Sequence, residues 1–189
     1  MAQISWGKPR IFIGAKGALS TTAKYYQELS TPIDGSTQLT ANDGDKKEAL
    51  IEGGEAEATK QNAATYELTM NVRMAKDRKL PFALHDSTTG AAANAYTKGE
   101  VSIILQPEDA EAPGFLVEAA SVAIKETFTS EEGAVWEMTF YPVVNDSHDA
   151  IQWKTVTVPT ASGTGASIKY GFTQTNLADI TRFLSNPAS

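Results

Sequence analysis

Two histidines occur in this chain, and each stands beside an acid, His85-Asp86 and His148-Asp149. Imidazole next to carboxylate serves as a base in a Ser-His-Asp arrangement or as part of a metal site. Either use needs further groups delivered by the fold. Both dipeptides fall in loop-like stretches after a strand, where a solvated histidine is the ordinary case. Asp146-Ser147-His148-Asp149 offers oxygens to calcium but lacks the ligand spacing and the glycine of an EF-hand loop. Gly163-Thr164-Gly165-Ala166-Ser167 has the glycines of a phosphate loop. It lacks the Gly-Lys-Ser/Thr ending and has no apolar strand leading into it, so it reads as a flexible linker. Asn145-Asp146-Ser147 is formally a glycosylation acceptor. There is no cysteine. Thiolate catalysis, disulfides and Cys-based zinc or iron sites are therefore excluded.

The carboxylates are more numerous. Asp43, Asp45, Glu48, Glu52, Glu55 and Glu57 crowd one stretch against Lys46 and Lys47. Asp109, Glu111, Glu118, Glu126, Glu131, Glu132 and Glu137 continue the theme. Paired carboxylates can hydrolyse glycosidic bonds, and Glu67 with Glu137 would be the pair to test. Acids on polar strand faces and in turns are usually only solvated. The remaining reading is an acidic surface facing a channel or a polyanion. The expectation is a non-enzyme with no cofactor and no metal.

Sixteen Lys and Arg against 23 Asp and Glu give a net charge of −7 over 189 residues. That balance argues against general nucleic-acid binding, which needs phosphate-neutralising cations. The N-terminus Met1-Ala2-Gln3-Ile4-Ser5-Trp6 has no apolar leader, and no apolar run is long enough to span a bilayer. The expectation is a chain kept in the cytoplasm or released without export, with no membrane partner.

The elements that must position these groups are strands. Thr65 to Met74 alternates, with large apolar residues at even positions and polar ones at odd positions. This period of two marks a strand with one buried face. Trp136, Met138 and Phe140 share one face of a second such strand, opposite Val135, Glu137, Thr139 and Tyr141. Thr129 to Gly133 is a hairpin connection, expected to set Ile124 and Phe128 against Trp136 and Met138 in a core. Further strands are expected at 10–15, 37–41, 46–51, 100–105, 115–128 and 151–158. Asn42-Asp43-Gly44-Asp45 is a turn, and Gly53-Gly54 permits a bend or bulge. Glu55 to Lys60 is an edge strand or the start of a loop. One or two helical turns are expected within 75–84, a loop or a short helix at 91–95, and a short helix from Leu177 to Leu184 capped by Asn176. The fold class is all-β, an antiparallel β-sandwich or small barrel. Residues 1–158 form the domain, and 159–189 form a linker and C-terminal extension.

This order of elements resembles the tail tube proteins (major tail proteins) of tailed bacteriophages and related contractile injection systems. The likeness rests on size, on the entry into the first strand over Ile4 to Gly14, and on the acidic hairpin region Thr37 to Lys60 before the long alternating strand. A connector over 75–97, more strands and a tail complete it. The resemblance implies two packed sheets per subunit and hexameric rings stacked into a tube whose lumen is lined by strands. It carries over no catalytic residue. Partners would be the chain itself, tape measure protein, and tail terminator or baseplate proteins, with DNA passing through unbound. The location would be the virion, assembled in the bacterial host cytoplasm. Six copies at −7 each give about −42 per ring, a field that repels phosphate. Glu55, Glu57, Glu67 and Glu137 are the expected lumen residues, and Asp43, Gly44, Asp45, Gly53 and Gly54 the expected ring-to-ring loop. The alternative is a β-sandwich module for carbohydrate or another ligand, with Trp6, Trp136 and Trp153 as stacking residues. It requires a tryptophan exposed on a concave face.

Overall fold

The structure, a computed structural model, describes residues 7–44, 46–50, 56–61, 64–73, 96–131, 133–144, 149–164 and 168–180. In chain order the strands are β1 (Arg10–Ala15), β2 (Lys24–Glu28), β3 (Gln38–Asn42), β4 (Lys46–Leu50) and β5 (Ala56–Gln61). Then follow β6 (Thr65–Arg73), β7 (Tyr96–Gln106), β8 (Gly114–Thr129), β9 (Gly133–Pro142) and β10 (Gln152–Val156). Last come β11 (Ala161–Ser162), β12 (Lys169–Phe172) and β13 (Leu177–Asp179). Eleven strands form one antiparallel sheet in the order β11-β12-β2-β1-β7-β8-β9-β6-β3, with β10 on β8 and β13 on β10. Among the described residues, strands β4 and β5 pair only with each other.

The chain is all-β, as its periodicities require. Among the described residues the sheet is not closed into a barrel. Instead the sheet folds over one core. Ile11, Ile13 and Ile103 from the β1–β7 half meet Leu68, Met70, Met138 and Phe140 from the β6–β9 half. Strand β8 belongs to both halves. Its residues 114–116 pair with β10, and 120–129 pair with β9. Between them Ile103 faces Val117 while Val101 faces Ala120, so three residues of β8 oppose two of β7. The extra residue bends the strand and reverses its parity. Val117 and Ala120 consequently bury in the same core.

A second core lies on the other face of β1, β7 and β8. Phe12, Tyr26, Ile104, Leu116, Val156, Tyr170 and Phe172 form it. Phe12 meets Tyr170 at 5.0 Å and Phe172 at 5.1 Å, both edge to face. Strand β1 is thus buried on both faces, which is why Ile11-Phe12-Ile13 is a continuous apolar run.

Three expectations change. The segment expected as linker and extension supplies β11, β12 and β13 to the main sheet, and Tyr170 and Phe172 to its second core. Residues 177–179 are a strand rather than a helix: Leu177 pairs with Val156 and packs on the second core. An isolated helix of eight residues is unstable in water, while the free edge of β10 offers backbone partners. Asn176 ends a 3-10 turn, and its Oδ1 accepts hydrogen bonds from Thr173 N at 2.9 Å and Thr173 Oγ1 at 3.0 Å. Phe128 is 78% exposed. It pairs with Ala134, beyond Val135, where the described part of β6 ends opposite Arg73, so no described strand of that half covers it. The helical turns expected at 75–84 and 91–95 lie outside the described residues.

Candidate functional site

The face of β6 and β9 turned away from the core is polar, and its charge is mixed rather than acidic. Leu68, Met70 and Val72 bury, so Glu67, Thr69, Asn71 and Arg73 point away from the core. Across the ladder, Thr139 stands opposite Thr69, and Glu137 opposite Asn71. Glu67 and Glu137 therefore share a face but sit four register positions apart along β6. Lys125 stands opposite Glu137 and donates to its Oε2 at 3.2 Å. Both partners are well exposed, so the pair contributes at most about 1 kcal/mol. Arg73 adds a second cation to the same face. Glu57 is the extra residue where Ala49 faces Ala58 but Leu50 faces Ala56. Glu55 lies outside the described residues.

Beside this face the sheet ends. Strand β3 pairs with β6 on one side, Thr40 opposite Glu67, and is the last strand of the sheet path. Its sequence Gln-Leu-Thr-Ala-Asn holds no proline and no charge, the usual devices that blunt an edge. Asp43 and Gly44 follow directly, and then the β4–β5 pair, which among the described residues is hydrogen-bonded only to itself. Asp45, Gly53 and Gly54 lie outside the described residues.

A groove of about 1090 Å³ opens at one end of the first core. Its floor is Leu105 and Phe115. One wall is Trp153 on β10, which faces Phe115 across the ladder, with the rings edge to face at 5.5 Å. Another wall is formed from the 31–37 segment. Pro32 bridges Val72, Ile33 N donates to Asn71 O at 2.7 Å, and Asn71 N donates to Ser36 Oγ at 3.1 Å. That wall is therefore tied to the edge of β6. At the mouth, Glu108 Oε2 accepts from Lys8 N at 3.1 Å. Glycine is favoured at Gly7, because its φ of +132° is one that residues with a Cβ rarely adopt. Trp153 is 53% exposed. Trp136 is half-buried against the first core, with Nε1 donating to Glu126 Oε1 at 3.2 Å. Trp6 lies outside the described residues.

A polar cluster not anticipated from sequence lies between β1, β2 and β12. Arg10 Nε and Nη2 donate to the two Glu28 oxygens at 2.7 and 3.1 Å. Tyr170 Oη donates to Glu28 Oε2 at 2.8 Å. The hydrogen bond to Glu28 raises the Arg10 pKa, opposed by burial. The Arg10 guanidinium also lies 5.1 Å from the Phe12 ring centroid. Only the alternation Tyr170, Phe172 hinted that this segment is a strand.

His85 and His148 lie outside the described residues, as do Asn145, Asp146, Ser147 and Gly165 to Ser167. Among the described residues no group of three or more His, Asp or Glu is arranged to hold a metal ion. No described helix is long and apolar enough to cross a membrane. No protein-family model matches the chain, and no curated protein matches it.

Proposed function

We propose that this chain is a self-assembling structural subunit, a tail tube protein of a tailed phage or a related contractile injection system. The observation that carries the reading is the edge of β3, which among the described residues has no second partner strand and ends an unclosed sheet, followed by a β4–β5 pair that among those residues is hydrogen-bonded only to itself. An open edge of unpaired N–H and C=O groups is a template for a strand of another copy. Head-to-tail contacts of this kind close into rings or extend into filaments. The proposed partners are copies of itself in stacked hexameric rings, then tape measure and tail terminator or baseplate proteins, with DNA passing unbound. The proposed setting is the virion, after assembly in the host cytoplasm. The acidic excess supports a conduit that repels phosphate. The Lys125–Glu137 pair makes Glu67 the stronger lumen candidate of the two placed on this face.

The alternative of a binding module takes support from one observation. Trp153 is exposed and forms the wall of a concave groove, as such a module requires. The two roles use different surfaces and are compatible in one chain.

Sedimentation velocity over a range of concentrations tests the assembly reading. Growth into discrete multiples of the monomer is expected. Strictly monomeric behaviour at high concentration contradicts it.

A further inference from the structure

We propose that the groove beside Trp153 binds a neutral oligosaccharide, a role separate from self-assembly. A sugar ring has an apolar C–H face and a rim of hydroxyl groups. The groove supplies a complement to each. Trp153 leaves about half of its surface, 53%, open to solvent at the groove, and the edge-to-face contact with Phe115 at 5.5 Å restricts its ring. Asp34 and Glu108 offer carboxylate acceptors to hydroxyl donors, while Thr31 and Thr37 can both donate and accept.

Charge narrows the ligand class. Among the described residues the groove lining holds two carboxylates, Asp34 and Glu108, against one lysine, Lys8. A phosphate or other polyanion would meet net repulsion, and a neutral ligand does not. Size narrows it further. The volume, about 1090 Å³, stands just above the usual range of small-ligand sites, about 300–1,000 Å³, so more than one sugar ring fits. The walls are preorganised. Pro9, Pro32, Pro107 and Pro113 restrict the backbone around the groove, and the 31–37 wall is hydrogen-bonded to β6. Little ordering entropy remains to oppose binding.

The test is saturation-transfer NMR on the full chain with cellohexaose, maltohexaose and chitohexaose as probes. Transfer from the protein to ring C–H protons of at least one probe is expected. Trp153→Ala should weaken that binding about tenfold, the scale of one lost aromatic contact. Trp153→Tyr should keep part of it, which separates loss of stacking from loss of folding. Asp34→Asn, on an exposed turn outside both cores, should weaken it severalfold without touching the fold. Absence of transfer for all three probes overturns the proposal, as does binding that Trp153→Ala leaves unchanged. Transfer that appears only in a chain ending at Ile180 would make the chain's own C-terminal segment the occupant of the groove, and overturns it equally.

Discussion

Tyr170 donates its hydroxyl hydrogen to Glu28 at 2.8 Å, across 142 residues of chain. That bond joins β12 to β2 beside the Arg10–Glu28 ion pair, above a core in which Phe172 meets Phe12 and Tyr26. The C-terminal strands are therefore part of what holds the sheet together. Phe172→Ala should destabilise the protein by about 3–5 kcal/mol, the cost of emptying a well-packed aromatic site. Tyr170→Phe should cost about 1.5–3 kcal/mol, because the hydroxyl donates to the Glu28 carboxylate and accepts from Arg10 Nη2 at 3.3 Å. A chain ending at Val158 should show no cooperative unfolding. Urea denaturation followed by circular dichroism checks all three.

Tyr26 makes the fold sensitive to base. Its ring is buried, and that burial pushes its pKa up to about 12 from 10.0, partly offset by the hydrogen bond with Ser102. The folded state thus holds the neutral phenol more tightly than the unfolded chain does. This stability is fully present below about pH 10 and is lost progressively as pH rises from there towards 12. The loss should amount to roughly 2–3 kcal/mol at most. Tyr26→Phe should flatten that part of the pH–stability curve. A variant whose alkaline loss equals that of the parent chain would exclude Tyr26 as its source.

The edge of β3 can be blunted without touching either core. Gln38 and Ala41 are both exposed on it. The double change Gln38→Lys, Ala41→Lys should alter monomer stability by no more than about 0.5 kcal/mol. It should nonetheless suppress assembly, because charged side chains disfavour strand addition at an edge. Thermal unfolding and sedimentation velocity on the same sample separate the two effects.

Charge reversal tests the conduit. Tubes carrying Glu67→Lys and Glu137→Lys should retain short DNA duplexes, with affinity that falls steeply as salt rises. Tubes of the unchanged protein should release them at every salt concentration. Co-sedimentation of labelled DNA with tubes provides the readout. Equal release from both would place Glu67 and Glu137 away from the lumen.

Strands with one wet face were legible because burial on one side imposes a period of two, as in β6 and β9. Strand β2 was not, since Tyr25 is exposed beside the buried Tyr26 and blurs the alternation. Strand β12 spans four residues, too few to establish a period. The exposure of Phe128 could not be foreseen, because parity tells which face a side chain takes but not how far the covering strand extends. The Trp153 groove was hidden for another reason. It gathers Lys8, Asp34, Glu108 and Trp153, which only the folded sheet brings together. The open edge of β3 is likewise a property of strand order, which local patterns do not encode.

Negative-stain electron microscopy of the purified protein at increasing concentration tests the central claim most directly. Rings or tubes with a central hole are expected, absent in the Gln38→Lys, Ala41→Lys variant. Uniform small particles at every concentration, from protein that is folded by circular dichroism, would contradict it.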